Sequence, residues 1–321
     1  METISGKQAS KIGIGSYGVG GRGHRDMEIT ECEADKKYID ALVYALEEGS
    51  NFTEISIAIG RGRSLSLFKQ ALGSSSLSRE DVFLTDSFYP RDLPDFGTMQ
   101  EDLSNFYKVM KTDYADSTLV TQSLIIRFGE TPVRKLLEQL LDQKRTRYVS
   151  LSNASPSWIK KFHTWFGEKF VAHEGHLSFE IRALQDKGVF SICERLGVEN
   201  IIWRPLRRKS TLSRNWPLLV ELSEKYKVSQ SAVILNWIAR LGYRSMVFSA
   251  NPKHIGENLA SLDFKMSEIE YDKMNEFRPD YQPPEVDWEG EKIDEDIVGL
   301  VKAFDDQVEG KEVDSSTYWK R

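Results

Sequence analysis

Short apolar segments alternate with amphipathic stretches of helical length from residue 11 to about residue 260, and this alternation restricts the fold more than any other feature. SNFTEISIA (50–58), EDVFLTDSF (80–88), DSTLVTQ (116–122), RYVSLSN (147–153), GHLSFEI (175–181), ENIIWRPL (199–206) and YRSMVFS (243–249) read as strands. Helical patterns separate them, and Pro132, Pro156 and Pro252 each stand at a helix opening, where the missing N–H breaks no bond. In residues 34–49, Tyr38, Ala41, Leu42 and Leu46 share one face and Gly49 ends the run. Short strands of this apolar kind are buried on both faces, as in parallel sheets. Eight strand–helix units over this length fit a single (β/α)8 TIM barrel better than a doubly wound sheet. The predicted architecture is therefore α/β, a barrel over residues 1–277 with an N-terminal hairpin.

Residues 278–321 have a different texture, Pro-rich and then acidic, with one amphipathic helix near 292–308. Trp288, Ile297, Val298, Leu300, Val301 and Phe304 give this segment enough apolar surface to dock on the barrel as a loop and helix rather than remain a disordered acidic tail. The Gly-rich GIGSYGVGGRG (13–23) does not open a helix directly, so it does not read as a dinucleotide fingerprint. A net charge of −6 gives no footprint for nucleic acid or an acidic membrane. Cys32 and Cys193 form neither a disulfide framework nor a metal spacing, and no apolar run approaches the roughly 18 residues of a membrane helix. These features predict a soluble cytoplasmic protein without a metal site, and they say nothing of its oligomeric state.

In order and spacing, KIGIGSYGVGG (11–21), REDVFL (79–84), TDYADSTLV (112–120), RYVSLSN, VFSICERLGV (189–198), IIWRPL and ANPKHIGENLASLDFKMSEIE (250–270) make the chain similar to the aldo-keto reductase superfamily. That resemblance implies a barrel with a nicotinamide cofactor across its C-terminal mouth and hydride transfer to a carbonyl, assisted by an Asp–Tyr–Lys–His tetrad. Here the four tetrad positions hold Glu54, Ile59, Ser87 and Thr121. No shift of register restores the pattern: no Asp or Tyr lies between Asn51 and Ser64, no Lys between Arg79 and Gly97, and no His between Asp113 and Glu130. A positioned general acid contributes roughly 10²–10⁴ in rate and an oxyanion donor about 10²–10³, so conventional carbonyl reduction should be crippled.

The resemblance is better kept on the cofactor side. Ser152 and Asn153 match the pair that holds the nicotinamide carboxamide, Trp203 falls at the aromatic position that stacks on its ring, and His176 replaces a glutamine. Toward the adenine end, Ser249, Glu257 and Asn258 are kept, whereas His254 replaces an arginine and Phe248 a basic residue that would grip a 2′-phosphate. NAD(P)H binding is thus expected to be weakened, with no support for a preference for NADP.

Glu54 at a barrel mouth reads equally as an acid or base with a raised pKa and as a loop anchor paired with Arg61 or Arg63. Asp86 alternates with Ser87 and belongs to the helical layer. His176 is the histidine expected inside the mouth, and Tyr89 reads first as substrate wall and second as a substitute acid. Arg204, Arg207, Arg208 and Lys209 place four cations within six residues after the seventh barrel strand, a frequent phosphate position in such barrels. Arg204 either binds an anion or obstructs the cofactor, and at least two of the other three belong to a solvated loop. Trp158, Trp165 and Trp237 are assigned to the core. The sequence leaves open whether the chain is an enzyme. One reading is a reductase-type barrel whose ancestral catalysis is lost or redirected, binding a small anionic or nucleotide-like ligand, with Glu54 and His176 available for non-redox acid–base chemistry. The alternatives are an NAD(P)H oxidoreductase with a substitute acid (Tyr89, His176 or Glu54) and a regulatory or structural barrel subunit.

Overall fold

The computed structural model describes residues 3–21 and 35–309; the readings placed on Cys32 and on 310–321 lie outside these. β1 (Thr3–Ile4) and β2 (Lys7–Gln8) form an antiparallel hairpin. β3 (Ile12–Gly15), β4 (Phe52–Ile55), β5 (Phe83–Ser87), β6 (Ala115–Thr121), β7 (Thr146–Ser152), β8 (Phe170–His176), β9 (Glu199–Trp203) and β10 (Arg244–Val247) follow. These eight pair in parallel, in sequence order, and close where β10 meets β3. The helical layer contains α1 (Asp35–Glu47), α2 (Arg63–Ser74), α3 (Phe96–Met110), α4 (Gln122–Phe128), α5 (Glu130–Asp142), α6 (Pro156–Phe166), α7 (Ala183–Asp186) and α8 (Val189–Leu196). It continues with α9 (Ser210–Ser213), α10 (Pro217–Tyr226), α11 (Gln230–Arg240), α12 (Pro252–Leu259) and α13 (Glu268–Glu276), and α14 (Ile293–Glu309) comes last. None of the described helices is long and apolar enough to cross a membrane.

One strand lies elsewhere than the sequence pattern places it. The sixth barrel strand is FVAHEGH (170–176), not GHLSFEI (175–181), and residues 177–182 form a buried loop. Its polar residues disguise it. His173 faces the helical layer, where its Nε2 accepts the Ala154 N–H (3.3 Å), while Glu174 and His176 belong to the barrel interior. Gly175 is required where it stands, because a Cβ there would come within 2.9 Å of Leu184 and Phe190.

Alternation within each strand divides the side chains between the interior and the helices. At the base, Phe52, Phe83, Ile201 and Met246 pack with Ile4 of the hairpin, which plugs the barrel. Gly13 leaves room for this packing, since a Cβ there would press into the Phe52 ring and its carbonyl. Beside the plug, buried Asp116 is held by Lys7 (2.8 Å), Arg79 (2.7 Å) and the Leu84 N–H (3.0 Å), partners that offset the cost of burying its charge. Asp86 faces outward beside Asp102, as alternation requires. Trp158 and Trp237 are buried in the helical core, with Trp165 packed against it.

α14 buries Ile293, Ile297, Leu300, Val301 and Phe304 against the barrel. Arg207 is buried here rather than solvated, pairing with Glu180 (3.4 Å) and with Asp305 of α14. Arg214 also reaches Asp305 (2.8 Å), and both guanidinium groups lie over the Phe304 ring at 4.7 and 5.0 Å. Arg208 and Lys209 are exposed. Phe304→Ala should therefore lower the unfolding free energy by about 3–5 kcal/mol in urea titrations, the usual cost of emptying a fully buried aromatic site. A loss below about 1 kcal/mol would show that α14 contributes little to the barrel's stability.

Candidate active site

The upper ends of the barrel strands carry a polar layer in place of the apolar base. Glu54 ends β4 and is 6% exposed. Its carboxylate accepts a hydrogen bond from Ser87 at the end of β5, and the Tyr89 hydroxyl stands 3.4 Å from the same oxygen, Oε1. The four residues that the sequence resemblance places at the tetrad positions have separate partners here. Glu54 and Ser87 bond to each other, Ile59 is an apolar part of the wall, and Thr121 caps α4 by accepting the Leu124 N–H (3.1 Å). Arg63 does not pair with Glu54, because its guanidinium bonds the Gly20 carbonyl (3.0 Å) and Asp35. The Arg61 side chain lies outside the described residues.

A second carboxylate enters from the far end of the chain. Asp294, in the first turn of α14, accepts from the Asn153 amide (2.6 Å) and from the Ser123 hydroxyl. The other end of the Asn153 amide accepts the Trp203 indole N–H (3.1 Å). Glu174 supplies a third carboxylate; it is 1% exposed, lines the same cleft, and neither of its oxygens has a hydrogen-bond partner among the described residues.

Burial governs the ionisation of this layer. It raises Glu54 to about 7 against the lowering hydrogen bonds of Ser87 and Tyr89, and Asp294 to about 6 against those of Asn153 and Thr121. Glu174 is raised well above the usual carboxylate range by burial and then by the Glu54 charge. The Tyr89 phenol is pushed far up by burial and by the charges of Glu54, Glu174 and Asp294, so it remains protonated.

These groups face a cleft of about 1710 Å³ across the barrel mouth. Glu54, Ile59, Tyr89, Asn153, Trp203 and Arg204 line it, and Ser249, His254, Glu257 and Asn258 extend its wall toward α12. Arg204 lies over Tyr17 (5.4 Å) and Trp203 (5.5 Å). Phe248 stacks with Tyr38 (6.2 Å). Ser249 bonds His254 Nδ1 (3.3 Å), which fixes that ring at the start of α12.

Two residues expected at the mouth lie behind its wall. His176 packs under Trp203, ring centroids 4.9 Å apart, with both ring nitrogens buried and without hydrogen-bond partners. Burial, followed by the charges of Arg207 and Arg204, holds it well below the ordinary histidine pKa, so it is neutral. The Ser152 hydroxyl is likewise buried without a partner. The larger Trp203 ring covers His176, and that geometry gives the imidazole no access to a ligand in the cleft.

The chain can now be compared with known proteins. The sequence pattern of the Aldo/keto reductase family matches residues 11–279. The chain belongs to that family. It is 23% identical over 290 residues to an NADPH-dependent alpha-keto amide reductase of Saccharomyces cerevisiae, covering 86% of this chain and 90% of that protein. It is 24% identical over 249 residues to a glyoxal reductase of Bacillus subtilis, covering 74% and 87%. Among solved structures, a thermostable aldo-keto reductase in complex with epalrestat superimposes with a TM-score of 0.73 at 22% identity, covering 86% of this chain and 98% of that one. A Klebsiella pneumoniae aldo-keto reductase in complex with NADPH gives 0.70 at 18% identity, covering 83% and 90%.

The side chains of this family member fit a nicotinamide dinucleotide unequally. Ser249, His254, Glu257 and Asn258 offer polar groups along one arm of the cleft. At the other arm the fit fails. Asn153 is engaged at both amide atoms by Asp294 and Trp203, and Ser152 and His176 are withdrawn behind the wall. Asp294 and Glu174, which define this arm, escaped the sequence reading; assigning β8 correctly would have put Glu174 on the inward face.

The raised Glu54 pKa makes stability depend on pH. An unfolded glutamate titrates near 4.3, so between about pH 4.3 and 7 the folded state binds more protons and stability falls as pH rises. Between pH 5 and 8, the wild type should lose on the order of 2–3 kcal/mol more unfolding free energy than Glu54→Gln, measured by urea denaturation. Equal pH dependence in the two proteins would contradict a raised Glu54.

Proposed function

We propose that this aldo/keto reductase-family barrel no longer performs tetrad-assisted carbonyl reduction and binds a small anionic ligand at its mouth, with Glu54 and Tyr89 as its acid–base pair. The engagement of Asn153 by Asp294 carries this reading. In the family the resemblance assigns that asparagine to the nicotinamide carboxamide, whereas here a carboxylate of the chain itself takes the amide. The rim supports an anion, since Arg204 and Arg208 face the cleft. Glu54, near half-protonation at neutral pH, can give or take a proton, and Tyr89 can relay one across 3.4 Å.

A second reading, an NAD(P)H oxidoreductase with Tyr89 as substitute acid, is favoured by the continuity of the cleft from Trp203 to Ser249, His254 and Asn258. Kinetics separates the two. Reduction of aromatic aldehydes and quinones with NADH or NADPH should run near background, because the general acid alone represents roughly 10²–10⁴ in rate. Turnover of several per second would overturn the first reading and support the second. Asp294→Ala, which releases the Asn153 amide, should tighten NADPH binding about tenfold in a tryptophan-fluorescence titration, the scale of one hydrogen bond to a charged group. Unchanged affinity would remove Asp294 as the obstacle.

A further inference from the structure

The floor and the rim of the cleft carry opposite charge. Arg204, Arg208 and Lys209 stand on the rim side after β9, whereas Glu54, Glu174 and Asp294 converge on the floor. Glu54 and Asp294 have hydrogen-bond donors within the protein. Glu174 has none, although it is almost completely buried and lines the cleft. A buried polar group without a partner costs about 1–3 kcal/mol, and more when it is charged, so the floor is built for a donor the chain does not supply. Tyr89 lines the same part of the cleft, close enough to feel the charges of Glu54, Glu174 and Asp294, and its aromatic ring favours a cation beside them. An ammonium group meets every one of these features: it donates up to three hydrogen bonds, compensates carboxylates and lies well on an aromatic face.

From the unpartnered Glu174 and its acidic, aromatic surroundings, we propose that the floor of the cleft is a subsite for an ammonium group, and that the ligand is dipolar, a small amine carrying an anionic group toward Arg204. The second half of this statement rests on the anion-binding reading above, whereas the ammonium subsite stands independently of it. The groups facing the subsite are Glu54, Tyr89, Ser123, Asn153, Glu174 and Asp294, and the charges of Glu295 and Arg91 act on Asp294 in opposite directions. An alkylammonium stays charged across neutral pH, so binding draws the floor carboxylates toward their ionised forms and releases protons.

Four probes of one shape test this by tryptophan fluorescence and calorimetry on the full-length protein: benzylamine, benzyl alcohol, benzoate and 4-(aminomethyl)benzoate. Benzylamine should bind at least tenfold more tightly than benzyl alcohol at pH 7.5, lose most of that advantage at pH 5, and release protons on binding. Glu174→Gln should weaken benzylamine tenfold or more without affecting benzoate. Arg204→Ala should weaken benzoate and 4-(aminomethyl)benzoate while sparing benzylamine. Equal binding of benzylamine and benzyl alcohol by the wild-type protein would overturn the ammonium subsite whatever the variants do. Selective benzylamine binding with no binding of benzoate would keep the ammonium subsite and remove the anion reading and the dipolar ligand with it.

Discussion

The bond between Asp294 and the Asn153 amide ties the last helix of the chain to the centre of the barrel mouth, and the character of the site follows from it. Asn153 holds Trp203 through its other amide atom, and Trp203 in turn covers His176. One carboxylate therefore orders an amide, an indole and an imidazole in succession. Asp294 is held in place from the opposite end of α14, where Asp305 pairs with the buried Arg207 and with Arg214. The helix is fixed at both ends, by a hydrogen bond at the mouth and an ion-pair cluster at the periphery. Its apolar face, including Ile297 and Phe304, supplies the burial that makes the placement stable.

Three acids at one cleft floor are costly, because burial disfavours each charge and the charges repel one another. The molecule meets this cost by holding protons on the layer more tightly than exposed carboxylates do. Glu54 and Asp294 are raised into the neutral and mildly acidic range, and Glu174 beyond the ordinary carboxylate range. A layer of acids that titrates near neutral pH can both donate and accept, so it remains adaptable in a way that the fixed cation of a lysine would not be. The substitution of Ser87 at a position that the family resemblance assigns to lysine is consistent with this change, since its hydroxyl joins Glu54 by a hydrogen bond and adds no charge.

The barrel itself was legible because its signal is repetitive: short strands with apolar residues alternate with amphipathic helices, several of which open on a proline or a capping side chain. Glu54, Ser87 and Tyr89 were legible for the same reason, as strand alternation and proximity to strand ends determine where they face. Glu174 was not, because His173, Glu174 and His176 interrupt the apolar pattern of β8 and shift the apparent strand toward residues 177–181. Asp294 was hidden differently. The apolar spacing of 293–304 shows that a helix docks, but nothing in the local sequence states which acidic residue of its first turn will meet Asn153, so far away in the chain. Arg207 looked like a loop cation until its partners Glu180 and Asp305 were placed beside it.

The closure of the barrel between β3 and β10 also governs how the chain can be made. Ser245 pairs with Ile12, so the first barrel strand waits for the last before its open side is satisfied. During synthesis the growing sheet presents two unpaired edges, and its inner face has only the N-terminal hairpin to shelter it. The polar mouth is assembled later still, when α14 emerges and delivers Asp294. A nascent chain of this protein therefore passes through a long interval as an open, sticky sheet, which ends only when β10 emerges and closes it on β3.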